Sequence, residues 1–454
     1  MADKKLSSQW LKILTPARTL MLYYFFALVI STCILSLPVA YKEGESAPFI
    51  DVLFTAVSAL SVTGLTTFSI PDTFSFTGLI FLTIILHLGL LGIMSISTVI
   101  MLLLGRRIGI RERRLIMQDQ NMYKFGGMVQ LIKQILFIVL TVEIASIIVL
   151  GCYLLPKFDE PKKAFFHAYF YTISALSNGG FTLDNRSFIP YANDYFIQFI
   201  IMVLIIIGAI GFPVLIELKS YLLLPKHKKT LFRFSLYTKV TTTTFFLLLF
   251  VGALFIYLID QNHFFSDKHV VESVFYALFQ SVTSRSAGLS TLDVTALSET
   301  NQLFLSILMF IGASPSSAGG GIRTTTLALV VIFITTYARG GKSVKVFRRE
   351  IYEDDLSKAV TVTLLAIFMC TVGIMVMTTI EPFPLTEIVF EVTSAFGTVG
   401  LSQGITGELS TFSKVILMIF MFIGRIGLVT FIFTFRSDAG EPLVRYPKER
   451  IIIG

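Results

Sequence analysis

Charge is what this chain has least of: Asp, Glu, Lys and Arg make up 15% of its 454 residues, against 54% hydrophobic residues. Soluble domains carry roughly one-quarter charged residues, so a chain with a mean hydropathy of +0.78 cannot hide its apolar surface in water. Cysteine is nearly absent too. Cys33, Cys152 and Cys370 each sit inside an apolar run, which argues against disulfides and cysteine metal sites and leaves them as small core residues. No charged leader with a short apolar stretch and a cleavage site opens the sequence, so the first apolar segment is expected to be retained. Enzyme signatures are missing as well. There is no His-Glu-x-x-His and no Gly-x-Ser-x-Gly, and Gly341-Lys342-Ser343 lacks the earlier glycine of a phosphate-binding loop because Thr336 stands there.

What is present is apolar length. Runs of about twenty residues or more occur at Met21 to Tyr41, Leu79 to Leu104, Ile135 to Leu155, Phe196 to Ile216, Thr241 to Ile259, Gln302 to Tyr337 around a Gly-rich break, Ala359 to Ile380 and Val415 to Phe435. Each is long enough for a hydrocarbon core that needs about 20 helical residues. Eight crossings place both termini on one side. The connections on that side carry 27 Lys+Arg against 11 acids, including Lys4, Lys5, Lys12, Arg106, Arg107 and Lys342, while the other side carries 7 against 17. Positive charge stays inside, so both termini are expected in the cytoplasm of a multi-pass cell-membrane protein. The net charge of +8 is then a topology signal and not a sign of nucleic acid.

Four related strips recur in the outer connections, ending at Gly64-Leu65, Gly180-Phe181, Gly288-Leu289 and Gly400-Leu401, with the glycines 116, 108 and 112 residues apart. Each glycine follows about 12 apolar and small residues, roughly 18 Å of helix or half a membrane. The expected fold is therefore an all-α membrane protein. Its unit is spanning helix, re-entrant half-helix, extended strip and spanning helix, repeated four times in parallel around one pseudo-fourfold axis, with eight transmembrane helices and four half-helices. The boundaries are a cytoplasmic N-terminus at 1–20, units at 21–125, 126–234, 235–350 and 351–436, and a cytoplasmic tail at 437–454. No soluble domain is expected beyond these.

A half-helix entering from outside points its carboxyl end, with free carbonyls and partial negative charge, at the centre of the membrane. Four such ends favour a cation. The returning strip passes glycine, which tolerates positive φ and close backbone approach, so successive carbonyls can face the axis. The expected lining is Val62, Thr63 and Gly64; Asn178, Gly179 and Gly180; Ser286, Ala287 and Gly288; and Thr398, Val399 and Gly400. No strip holds Asp or Glu, which suits a monovalent ion bound by neutral oxygens. Arg285 interrupts the third strip and is expected to turn behind it toward an acid such as Glu391 or Glu272. His87 and Glu143 are lone polar residues in apolar helices, expected to hydrogen-bond within the bundle.

These strips, with Thr-Ser-Arg-Ser-Ala-Gly-Leu at 283–289 and Gly-Arg-Ile-Gly at 424–427, resemble the Trk/Ktr/HKT superfamily of K⁺ transporters over nearly the whole chain, and most closely its KtrB-type subunit. The resemblance implies a K⁺-translocating pore with K⁺ at filter carbonyls, one pore per subunit, a homodimer in membrane lipid, and a cytosolic KtrA-type nucleotide-binding ring. It implies no cofactor in this chain, any nucleotide being on the partner. It also makes the broken segment Gly312-Ala313-Ser314-Pro315-Ser316-Ser317-Ala318-Gly319-Gly320-Gly321 an intramembrane gating loop. Irregular backbone at that depth must be satisfied by protein or a wet cavity. Arg425, an ionisable group in the last apolar run, is expected to hold that loop closed. The alternatives are a Na⁺-coupled or Na⁺-permeable relative and, from another class, a membrane scaffold or sensor with an occluded pore.

Overall fold

The apolar helices begin where a short polar side chain can take up a free backbone N–H. Ser75 Oγ accepts from Gly78 N at 3.2 Å, Asp194 Oδ1 from Ile197 N at 3.2 Å, Ser298 Oγ from Asn301 N at 3.4 Å and Ser410 Oγ from Ser413 N at 3.3 Å. These four caps open the four helices that follow the strips: Phe76–Leu91, Tyr195–Ala209, Glu299–Phe310 and Thr411–Ile426. The computed structural model describes residues 15–104, 108–119, 127–341, 343–435, 447 and 449. Lys4, Lys5, Lys12, Arg106, Arg107 and Lys342 of the charge count lie outside them, as does the 437–454 tail apart from Pro447 and Glu449.

The protein is mostly helical, and the one sheet among the described residues is the small hairpin of Lys345–Val346 with Arg349–Glu350. Four long helices, Pro16–Leu35, Met128–Leu154, Leu236–Asp260 and Glu353–Ile380, are long and apolar enough to cross a membrane. They are poorly covered by protein. Phe25, Ile144, Phe250 and Phe368 stand exposed on them, an arrangement that suits hydrocarbon around the helices and not water.

Inside this outer layer lie four shorter helices: Phe49–Ser61, Pro161–Ser177, Val270–Thr283 and Leu385–Gly397. Proline starts three of them, as the residue before Phe49 or Leu385 or as Pro161 itself, where a missing N–H costs nothing. Their last turns are buried, with Ser58, Ser174, Ser281 and Ser394 all inaccessible. Thirteen residues reach about 20 Å, so these helices end in the middle of the protein.

Three of the helices after the strips do not run straight, contrary to the continuous runs expected at Leu79 to Leu104, Phe196 to Ile216 and Val415 to Phe435. They bend by 99°, 106° and 99° at breaks around Gly92, Gly211 and Gly427. These glycines take φ of +78°, +99° and +89°, a left-handed conformation that side chains resist. The segments beyond the bends turn away at a steep angle. Hydropathy counts apolar residues and is blind to direction, so the runs looked continuous. In the third unit the same helix is interrupted altogether, between Phe310 and Thr324.

Neighbouring units are joined by polar contacts. Asn185 Nδ2 donates to Asp72 Oδ2 at 2.7 Å between units one and two, and Phe188 N to Ser290 O at 2.8 Å between two and three. Gln403 Nε2 donates to Gln302 Oε1 at 3.1 Å between three and four, and Lys414 Nζ pairs with Asp51 Oδ1 at 2.8 Å between four and one. These contacts link the first unit to the second, the second to the third, the third to the fourth and the fourth back to the first. Hydrogen bonds from Ser69 and Asn185 hold the Asp72 carboxyl below its usual range.

Candidate functional site

Each half-helix must turn sharply into its strip, and the turn is built alike in three units. Val62, Asn178 and Thr398 adopt the left-handed conformation, with φ of +57°, +58° and +48°. The next N–H then reaches back: Thr63 N to Ser58 O at 2.8 Å, Gly179 N to Ser174 O at 2.7 Å and Val399 N to Ser394 O at 2.8 Å. This is the closure that usually uses glycine or asparagine. Valine and threonine are β-branched and strained there, and such strain gathers at functional sites held by their surroundings. The serine hydroxyls add to the hold, with Gly64 N donating to Ser58 Oγ at 3.0 Å and Gly400 N to Ser394 Oγ at 3.1 Å.

The strips meet at their glycines. A β-carbon on Gly64 would lie 2.7 Å from Gly179 O and 2.8 Å from the Gly180 Cα, and one on Gly180 2.9 Å from Ala287 O. On Gly288 it would strike Val399 O and the Gly400 Cα, and on Gly400 it would strike Thr63 O and the Gly64 Cα. The contacts run 64 to 180 to 288 to 400 and back to 64. Four glycines thus close a ring, with the carbonyls of Thr63, Gly179, Ala287 and Val399 packed against it, and only a residue without a side chain fits at any of the four positions.

The third strip is built differently. Val270–Thr283 ends without a left-handed corner, Ser286 instead takes φ of +139°, and Ser286 Oγ donates to Thr398 O of the next strip at 3.1 Å. Arg285 is buried, as expected of a residue turned behind the strip, but it reaches neither acid. Its guanidinium lies 4.8 Å from the Phe245 ring centroid, and Nη1 donates to Phe245 O at 3.4 Å. Glu391 is occupied by Ser402 Oγ at 2.5 Å, Gln403 N at 3.1 Å and Thr406 Oγ1 at 2.9 Å, and Glu272 pairs with Lys268 at 3.9 Å. The expected acid is replaced by an aromatic face and a carbonyl on the neighbouring long helix, both of which suit guanidinium.

The Gly312–Gly321 loop lies directly against the strips. Gly319 packs on the side chain of Ser286 and Gly320 on that of Thr398. Its backbone groups are satisfied by the break in unit two: Ser314 N donates to Ala209 O at 3.0 Å, Ala318 N to Gly208 O at 3.0 Å, and Phe212 N to Ser316 O at 2.9 Å. Tyr237 donates to Pro315 O at 2.6 Å and Ser317 Oγ to Ser314 O at 2.6 Å. Arg425 is buried and donates Nη1 to Ala318 O and Nη2 to Gly89 O. It therefore ties the loop to the bend of unit one from a position beside the bend of unit four.

Two features of this layer went unread in the sequence, where Gly-Arg-Ile-Gly at 424–427 was noted without its recurrence. Gly-x-x-Gly recurs at 89–92, 208–211 and 424–427, and Gly89, Gly208 and Gly424 pack on the carbonyls of Leu60, Leu176 and Phe396 at the half-helix ends. The triple recurrence was the available signal. The other is Arg323, an ionisable residue in an apolar run, whose Nη1 donates to Gly319 O. Below the loop opens a cavity of about 610 Å³ lined by Pro315, Arg323, Tyr237, Lys358 and Asp355 among mostly apolar residues. His87 and Glu143 do hydrogen-bond within the bundle, to each other at 3.0 Å.

The TrkH family, described as cation transport protein, matches residues 4–441 of this chain. Among curated proteins the chain is 48% identical over 444 residues to the Ktr system potassium uptake protein D of Bacillus subtilis (strain 168), covering 98% of both chains. It is 34% identical over 448 residues to the Ktr system potassium uptake protein B of the same organism, again over 98% of both. Among solved structures it resembles the potassium transporter TrkH of Vibrio parahaemolyticus, with a TM-score of 0.69 at 20% identity over 91% of this chain and 84% of that one. That likeness shows the fold.

Proposed function

The chain belongs to the TrkH family of cation transport proteins, and from that premise we propose that it is the K⁺-translocating membrane subunit of an uptake system of the Ktr type. The family is one of transporters and not of enzymes. The observation that carries the reading is the closed ring of Gly64, Gly180, Gly288 and Gly400 with the preceding carbonyls packed on it. Neutral carbonyls in a ring replace the hydration shell of a monovalent cation, and four half-helix carboxyl ends aimed at the same place add negative potential.

On this reading the four units are parallel, each spanning helix, half-helix, strip and bent or broken spanning helix, and ions pass along their common axis. The loop at 312–321 blocks that axis beneath the strips. Its Pro and Gly content keeps it out of regular helix, and few of its hydrogen bonds belong to a helix ladder, so it is the part that moves. Arg425 adds both hydrogen bonds and positive charge in the path. Control by a cytosolic regulatory chain fits the naming of both relatives as parts of a Ktr system. A homodimer, cell-membrane placement and cytoplasmic termini complete the proposal. A Na⁺-coupled or Na⁺-permeable mode is not favoured, since both relatives are potassium uptake proteins by name.

The test is ⁸⁶Rb⁺ uptake into proteoliposomes holding the purified chain, driven by an outward K⁺ gradient. Protein-dependent uptake supports the pore. Uptake no faster than in empty vesicles, with and without a regulatory partner, favours an occluded scaffold instead.

A further inference from the structure

We infer that Arg323 is a second latch on the gating loop, acting beside Arg425 on the adjacent carbonyl. The inference rests on the reading of 312–321 as a gate and extends it to a residue outside the loop. Two successive loop carbonyls are held by two different guanidiniums: Ala318 O by Arg425 Nη1 and Gly319 O by Arg323 Nη1. These are hydrogen bonds from charged donors, worth more than neutral ones.

The position of Arg323 argues for a specific task. It is the residue that opens Thr324–Ala338, with φ −71° and ψ +146° and no capping bond from its side chain. A cation at a helix amino end faces the positive pole of the helix and is disfavoured. Arg425 is a like-charged neighbour that also repels it. A helix start would be better served by Ser, Thr or Asp, so neither local helix chemistry nor a partner acid among the described residues accounts for an arginine here. Its contact with Gly319 does.

The geometry also gives the two latches different anchors. Arg425 sits on the fourth unit and ties the loop to Gly89 of the first. Arg323 sits on the helix that follows the loop, and its bond to Gly319 folds the end of the loop back on itself across Gly320 and Gly321. Opening therefore needs two separations, one between units and one within the third unit. Arg323 lines the cavity beneath the loop, so the second latch is the one within reach of the cytoplasmic side.

The experiment measures partner-free ⁸⁶Rb⁺ flux through reconstituted Arg323→Gln, Arg323→Lys, Arg425→Ala and the Arg323→Gln/Arg425→Ala double variant, each checked for normal assembly by size exclusion. Arg323→Gln is expected to raise flux about tenfold, the effect of losing one hydrogen bond from a charged donor, while Arg323→Lys stays near the parent. The double variant should exceed the product of the two single effects, because removing one guanidinium relieves repulsion on the other and each single effect therefore understates the bond it removes. In a chain lacking residues 313–320, Arg323→Gln should change nothing further. Parental flux in Arg323→Gln, alongside raised flux in Arg425→Ala, would overturn the second latch and leave the gate. A rise in the loop-deleted background would overturn it too, by showing a simple charge barrier. Unchanged flux in every variant would remove the gate reading itself.

Discussion

Arg425 donates to the carbonyl oxygens of Ala318 and Gly89, so one guanidinium joins the irregular loop of the third unit to the bend of the first. A buried arginine bound only to neutral carbonyls needs all of its donors placed, because desolvating the charge is costly. Its Nε finds no partner among the described residues. Burying it there costs stability, a cost that the gate proposed for 312–321 would explain.

Replacing Arg425 by Ala, or deleting several residues between Ala313 and Gly320, is expected to raise K⁺ flux without a partner by tenfold or more and to leave ion preference unchanged. The strips lie beyond the loop and are closed by their own contacts. Flux assays on reconstituted variants decide it. Parental basal flux in both, with normal assembly, would make Arg425 a structural anchor.

The Asp51–Lys414 pair closes the circle of units between one and four, and both side chains are largely buried. Lys414→Met strands the carboxylate and is expected to destabilise by about 3 kcal/mol. The double change Asp51→Leu with Lys414→Met should recover most of that loss. Thermal unfolding in detergent measures both; equal melting of the single and double variants would mean that the pair does not act as a unit.

Glu381, just beyond the carboxyl end of Glu353–Ile380, has its carboxyl pulled below the usual 4.5: burial alone pushes it up, but hydrogen bonds from Ser410 and Ser413 outweigh that. Ser410 gives two of them, N at 3.0 Å and Oγ at 2.6 Å. A depressed carboxyl contributes stability above its unfolded value, and that contribution is lost as pH falls through the folded value. Stability should therefore decline below about pH 4.5, and less steeply in Glu381→Gln. Melting temperatures between pH 7 and 3.5 provide the check, parallel curves being the contrary result.

The purified chain is expected to show no specific ATP or ADP binding, since control is assigned to a partner. Calorimetric titration tests this, and a stoichiometric isotherm would place a nucleotide site in this chain.

Much of this arrangement was legible in the sequence, because glycine at a ring position leaves a mark that repeats. Gly64, Gly180, Gly288 and Gly400 could be aligned without a structure, and Pro315 with Gly319-Gly320-Gly321 marked the loop. The bends at Gly92, Gly211 and Gly427 were hidden by apolar residues on both sides. Partners across the fold were hidden for another reason. Arg285 found Phe245, and Lys414 found Asp51, through contacts between units that no local pattern records. Arg323 drew no reading in the sequence, and only its contact with Gly319 gives it meaning.

Whether the four glycine strips form one K⁺-preferring ring is decided by competition against ⁸⁶Rb⁺ uptake. In proteoliposomes holding the parent chain, K⁺ should suppress uptake at far lower concentration than Na⁺. In Gly64→Ser, Gly180→Ser, Gly288→Ser and Gly400→Ser, each new β-carbon would press on the next strip, so the gap between the two ions should shrink at least fivefold while the protein still assembles, the weight of about 1 kcal/mol. Four correctly assembled variants that all keep the parental preference for K⁺ over Na⁺ would contradict the ring.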